Sequence, residues 1–301
     1  MNFVKLSLNL RSLALGLSLT VLSHLMAVPA MAMHFCDRAR TLAGVEYKWC
    51  VDTEDKRGDN RQLIYFLHGA GGNENVWGNS PGYRRAQAIW ASQPGKAVPV
   101  VISISFGQLW LLTDVPRDNN RTLHATLVQE VIPTIEAKYQ IQNPTRSLIG
   151  ESMGGFNATQ LLMKDAGMFE KVALVCPALP TIGPYSIEQD VTAYIGRHKP
   201  YVRVDWIRNI MALTRHEFPT EPDWKAHDPF TLINKLSFKA SKIFVSCTRQ
   251  DEHGFYEGSE LFAREAQKRG IYAQWVPINQ GGHCYQTEES IGTLANFLAI
   301  P

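Results

Sequence analysis

The sequence predicts an α/β protein built on a mostly parallel, doubly wound sheet. Two features carry that prediction: short apolar runs that recur along the chain, and helix-period segments that separate them. The runs are Gln62–Leu67, Pro99–Ser105, Arg146–Gly150, Lys171–Cys176, Lys242–Cys247 and Tyr272–Pro277. Most are continuous rather than alternating, as strands covered on both faces should be. Gly44–Asp52 alternates better and is expected to lie antiparallel at an edge.

The intervening segments read as helices. Between residues 121 and 140, Leu123, Leu127, Val131 and Ile135 recur at a spacing of four, which places them on one face; Pro133 is expected to kink that helix. A helix after Ser152 carries Phe156, Leu161 and Leu162. Residues 256–270 turn Leu261, Phe262 and Ala266 inward and stop at Gly270, and a last helix runs from Ser290 to Leu298. Residues 178–238 break the rhythm with Pro180, Pro184, Pro200, Pro219, Pro222 and Pro229, and include Trp206 and Trp224. They predict a mostly helical, cap-like insertion over the sheet.

Residues 1–32 hold Lys5, Arg11 and no acid, then an apolar stretch of roughly Leu13–Leu22, then Ala30-Met31-Ala32. This is the layout of a cleaved secretory signal peptide. The alternative, a membrane anchor, needs about 20 apolar residues, and Ser18, Thr20, Ser23 and His24 interrupt the run. Removal of Lys5 and Arg11 takes the 30 basic residues to 28, against 28 acids, so the remaining domain is formally neutral. No basic stripe points to nucleic acid and no polybasic patch to a membrane surface. The expected location is a periplasm or the extracellular space, where disulfides persist. Cys36 and Cys50 flank a short segment and suit a stapled hairpin. Cys247 and Cys284 lie near the residues singled out below and form a second candidate pair, leaving Cys176 as a buried thiol. No Cys or His spacing suggests zinc.

The strongest local signal is Gly150-Glu151-Ser152-Met153-Gly154, which fits G-x-S-x-G between a strand and a helix. A serine on so sharp a turn is strained, and small neighbours let the chain fold back. Ser152 is therefore the candidate nucleophile. His68-Gly69-Ala70-Gly71-Gly72 follows the strand ending at Leu67, and a Gly-rich turn there can aim backbone N–H groups at a developing oxyanion. Ala70 and Met153 are the candidate donors, with Gly71 as the alternative to Ala70; His68 reads as a scaffold. The lysine and Ser/Thr of a phosphate loop are missing. In a Ser–acid–His order, the acid follows a late strand and the histidine the last one. Asp251 and His283 occupy those places. Glu252 is the adjacent alternative acid, and His253 the alternative histidine after the wrong strand.

With these residues in view, the chain resembles the esterase D / feruloyl-esterase-like family of α/β-hydrolases. The likeness is carried by residues 65–77, 103–114, 148–161, 248–258 and 281–283. It implies a Ser152–His283–Asp251 triad, donors near Ala70 and Met153, a small-molecule or carbohydrate-linked ester as substrate, and no metal or organic cofactor. Cys284 directly after the histidine and the long Pro-rich segment depart from many relatives. Trp77 and Trp110 are candidates for lining the substrate pocket. The leading expectation is a serine esterase. An acyltransferase with the same residues, a peptidase and a non-catalytic binding module are the alternatives.

Overall fold

Eight strands form one sheet in the order β1-β2-β4-β3-β5-β6-β7-β8. They are β1 (Met33–Arg40), β2 (Glu46–Thr53), β3 (Gln62–Leu67), β4 (Val100–Ser105), β5 (Thr145–Glu151), β6 (Lys171–Val175), β7 (Lys242–Thr248) and β8 (Ala273–Ile278). The computed structural model describes residues 33–53, 62–93, 96–115, 122–234 and 241–299. The amino-terminal segment 1–32, read above as an export signal, lies outside the described residues.

From β3 to β8 all pairing is parallel, while β2 is antiparallel to both β1 and β4. The alternating segment thus lies antiparallel as expected, but it is not the edge. β1 folds back on it as a hairpin, with Cys36 opposite Cys50.

Parallel strands need crossovers, and helices on both faces supply them. The period of two along β3 divides the core. Leu63, Tyr65 and Leu67 join Ile102, Leu148 and Val172 on one face, whereas Ile64 and Phe66 join Val101, Ile149 and Phe244 on the other. The second face is covered by α1 (Val76–Asn79), α2 (Pro81–Ala91) and α11 (Glu288–Leu298). The Trp90 indole N–H on α2 donates to the Ala295 carbonyl on α11 (2.8 Å).

The first face carries α3 (Leu123–Thr126) and α4 (Ile132–Lys138), joined by a π-turn at Leu127–Val131. Pro133 has no N–H, and its ring clashes with the carbonyl of an ordinary α-turn, so the wider turn occurs directly before it. α5 (Met153–Lys164) is buried almost throughout. On α10 (Phe255–Lys268), Phe262 and Ala266 are buried as expected, but Leu261 faces solvent; Ala263 takes the inward position instead.

Between β6 and β7 lie α6 (Glu188–His198), α7 (Val204–Glu217), α8 (Glu221–Lys225) and α9 (Pro229–Leu232). Ile182, Val191, Tyr194, Ile195, Val202 and Ile207 give this segment a small core of its own. His227 ties it to the sheet domain. Its Nδ1–H donates to the Asp223 carbonyl (2.7 Å), its Nε2 accepts the Asp114 N–H (2.8 Å), and its own carbonyl accepts from Gln160 (2.7 Å).

Candidate active site

Ser152 follows β5 and precedes α5 with φ 51° and ψ −113°, a conformation few L-residues adopt. Its N–H donates to the Val175 carbonyl (3.0 Å), and its carbonyl accepts the N–H groups of Phe156 (3.1 Å) and Ala178 (2.9 Å). The surrounding structure therefore holds the strained turn. The flanking glycines are sterically required. A Cβ on Gly150 would overlap the Gly154 backbone, and one on Gly154 would overlap the Leu67 carbonyl.

His283 sits in the loop after β8, and its ring makes two hydrogen bonds. Nε2 is 2.8 Å from Ser152 Oγ, and Nδ1 is 2.6 Å from Asp251 Oδ2. Three residues from distant parts of the chain thus form one hydrogen-bonded line. Asp251 lies just past β7 and is 2% exposed. Its other oxygen accepts the N–H groups of His253 (2.8 Å) and Phe255 (3.3 Å), the latter at the start of α10. Burial works to raise the Asp251 pKa. The hydrogen bond and charge of His283, with the His253 N–H, outweigh it and hold the carboxyl below its ordinary range. The acid is therefore anionic at neutral pH and holds an Nδ1 proton of the His283 ring, which turns Nε2 toward the serine hydroxyl.

Glu252, the adjacent alternative acid, points elsewhere: Oε2 accepts the backbone N–H of His283 (2.5 Å). A Cβ on Gly282 would overlap this carboxylate, so a side chain there would displace Glu252 from the His283 N–H. His253 is not bonded to Ser152; its ring packs 4.2 Å from the His283 ring and stacks on Trp206 at 4.9 Å. Burial first, and the neighbouring His283 second, lower the His253 pKa.

The Gly-rich turn after β3 passes beside Ser152. Neither the Ala70 N–H nor the Met153 N–H donates to another described group, whereas the Gly71 N–H is taken by the Gln108 carbonyl (2.8 Å). This favours Ala70 over Gly71 as a donor to a ligand. His68 braces the turn. Its Nδ1–H donates to the Gly69 carbonyl (2.8 Å), so Nε2 accepts from the Trp110 indole (3.2 Å) and the Ser105 hydroxyl (2.9 Å). Its full burial lowers its pKa and keeps it neutral.

The sequence of residues 54–288 matches the family described as "Putative esterase". The chain belongs to this esterase family. Over 141 residues it is 22% identical to S-formylglutathione hydrolase of Rattus norvegicus, a match covering 46% of this chain and 42% of that protein. It thus spans under half of that relative's length. Among solved structures it is similar to S-formylglutathione hydrolase from Staphylococcus aureus (12% identity, TM-score 0.62, 89% of this chain and 98% of that one). It is also similar to an esterase from Pyrobaculum calidifontis (17%, 0.61, 88% and 85%) and to a ferulic acid esterase (16%, 0.57, 89% and 96%). At these identities the likeness establishes the α/β-hydrolase fold.

Two readings of the esterase-family sequence need correction. Cys284 pairs with Cys176, not Cys247, while Cys36 pairs with Cys50. Cys176 is the first residue past β6, at the same sheet edge as the His283 loop, and has a φ of 42°. Cys247 is still inside β7. It is the buried free thiol, with Sγ 3.7 Å from Asp251 Oδ2, and burial pushes its pKa well up.

Trp77 and Trp110 do not line the cavity beside Ser152. Trp77 is fully buried and stacks on Tyr83 (4.7 Å) and Trp90 (6.0 Å), because it lies on the covered face of the sheet. Trp110 turns its indole inward to His68, while its neighbours Leu109 and Leu111 reach the cavity.

That cavity, about 320 Å³, opens beside Ser152, Met153 and Ala70. Its aromatic lining comes from Phe156, Phe255, Trp206 and Trp224, the last two from the inserted segment. The insertion also holds the acid loop. The Arg203 N–H donates to the Glu252 carbonyl (3.0 Å) and the Tyr194 hydroxyl to the Gly254 carbonyl (2.8 Å). The sequence carried no sign of these contacts. One further acid abuts the site. Glu151 accepts a 2.6 Å hydrogen bond from Tyr83, and burial raises its pKa against the opposing pull of Tyr83 and His283.

Proposed function

We propose that this esterase-family chain is an exported hydrolase that cleaves carboxylic esters through an acyl-enzyme on Ser152. The observation that carries the reading is the Asp251–His283–Ser152 hydrogen-bonded line, whose serine lines a cavity together with Ala70 and Met153. Export is supported by the amino-terminal pattern and by the two disulfides.

In the first half-reaction Ser152 Oγ attacks the ester carbonyl as His283 Nε2 takes the hydroxyl proton. The carbonyl oxygen becomes an oxyanion facing the Ala70 and Met153 N–H groups; each such donor is typically worth about 3 kcal/mol in the transition state. Asp251 stabilises the imidazolium and does not take its proton. The tetrahedral species collapses, the C–O bond to the alcohol breaks, and His283 returns the proton to the leaving oxygen. In the second half-reaction water attacks the Ser152 ester, His283 accepts its proton, and collapse releases the carboxylic acid and restores Ser152.

A fluorophosphonate probe tests this on the purified protein. Labelling is expected on the native chain and absent from Ser152→Ala, together with loss of p-nitrophenyl ester turnover. Undiminished labelling of the variant would refute a nucleophilic Ser152. Product analysis with added alcohols then separates hydrolysis from acyl transfer.

A further inference from the structure

The helix α7 has an apolar stripe that protein covers only in part: Trp206 stacks on His253, and Ile210 touches the core on one side. Trp206, Ile210 and Leu213 recur at helical spacing and line the cavity with Met211, whereas Ile207 is the only residue of α7 that is buried. Trp206 and Leu213 are among the most exposed large apolar residues of the described chain, at 42% and 45%. An apolar helix face is normally covered by protein. Here Leu109, Leu111 and Phe156 stand on the other side of the gap.

Polar groups on the same helix are few along this space. The Thr214 hydroxyl is donated to the Ile210 carbonyl (2.8 Å), Asn209 borders the space, and Glu217 lines it at the last residue of α7. A sugar or peptide would need several converging donors and acceptors.

In the proposed reaction the cavity suits the acyl part of the ester better than the leaving alcohol. A leaving alcohol must sit near His283 Nε2 to receive its proton, and His283 does not line the cavity. Ser152, Ala70 and Met153 do, and these surround the carbonyl carbon and oxygen in the proposed reaction. The volume of about 320 Å³ holds about ten water-sized groups, at about 30 Å³ each. A methylene is of similar size, so a chain of about eight to ten carbons fills the space.

On the reading of Ser152 as the acylated residue, we infer that the gap between α7 and the sheet domain is an acyl-chain site. Its preferred substrates are esters of unbranched saturated acids of about eight to ten carbons. Each methylene transferred from water to apolar surroundings is worth about fourfold in an equilibrium or rate ratio.

The test is kcat/KM along p-nitrophenyl esters from acetate to hexadecanoate, with a hydroxycinnamoyl ester beside them, on protein whose fluorophosphonate labelling at Ser152 has been measured. The ratio of octanoate to acetate is expected to be ~10² or more, with no further gain beyond about ten carbons. Ile210→Trp, which fills the space, should move the optimum to shorter acids, and the more exposed Leu213→Asp should lower the octanoate-to-acetate ratio at least tenfold. A flat or falling profile, a hydroxycinnamoyl ester turned over more than tenfold faster than octanoate, or a rising profile that neither variant alters would overturn the acyl-chain site. With labelling intact, those results would leave the serine esterase standing. Octanamide binding to Ser152→Ala, read by the fluorescence of Trp206 and Trp224, needs no catalysis. Saturation at a concentration at least thirtyfold below that of acetamide is expected. Absence of saturable octanamide binding removes the site whatever residue performs the chemistry.

Discussion

Asp251 and Glu252 are adjacent acids within reach of the same histidine, and their contacts assign them unequal weight. In Asp251→Asn the amide is nearly isosteric, so the fold should persist, but the negative charge beside the imidazolium is lost. With charge centres about 4 Å apart and an effective dielectric constant of about 20, that charge is worth about 4 kcal/mol, or ~10³ in kcat. The amide can also present its NH₂ to Nδ1 and favour the wrong tautomer, which takes the expected loss toward 10⁴. In Glu252→Gln the side chain keeps an oxygen to accept the His283 backbone N–H. Only the charge assistance of that hydrogen bond is lost, about 0.5–1.5 kcal/mol, so kcat should fall about two- to tenfold. The assay is steady-state hydrolysis of a p-nitrophenyl ester from pH 5 to 9, with circular dichroism to confirm folding. Near-normal turnover in Asp251→Asn, or a greater loss in Glu252→Gln, would refute the assignment of the imidazole to Asp251.

The disulfide between Cys176 and Cys284 closes a separation of 108 residues, so its joint replacement by alanine should cost about 2–5 kcal/mol and lower Tm by roughly 5–15 °C in calorimetry. Thiol titration of the unreduced, denatured protein should find one thiol, Cys247, among the described cysteines; two or more would contradict the pairing. Glu151 responds to pH in the opposite sense to Asp251. Its folded pKa is raised by burial, so its contribution favours the fold at low pH and is lost as pH rises from about 4 through the folded pKa. Glu151→Gln should therefore leave Tm unchanged near pH 4 and raise it at pH 8, each pKa unit of separation being worth about 1.4 kcal/mol. Thermal melts at the two pH values check this, and a lower Tm at pH 8 would contradict it. Asp251, whose folded pKa is depressed, contributes stability above its unfolded pKa that is lost as pH falls through the folded one. Asp251→Asn should accordingly flatten the acid limb of the same melts.

Several features were legible before any coordinates because they depend on local chemistry. Most of the runs that became β3 to β8 are apolar on both faces, and a strand covered by helices on each side has no need of polar alternation. The glycines at 150 and 154 announced a turn in which no side chain fits, and the structure shows the backbones that would collide. Ser152, Asp251 and His283 each stood just past a strand, and parallel strands bring such positions to one edge of the sheet. Cys176 stands there too, one residue past β6, whereas Cys247 is still within β7; the two apolar runs ended alike at a cysteine, so the sequence did not separate them.

Trp77 and Trp110 were not legible, because an aromatic side chain suits a core as well as a cavity and only packing decides between them. The roles of Glu252, His253, Tyr194 and Arg203 depend on contacts between segments that the sequence keeps far apart. By itself the sequence determined the order of strands and helices, the strained serine turn and the residue types able to exchange a proton at the sheet edge, because steric fit and hydrophobic period act over a few neighbours. The tertiary structure alone decided which cysteine meets Cys284, which acid meets the His283 ring and which apolar residues border the space beside Ser152. Those outcomes rest on distances across the fold, which local sequence does not fix.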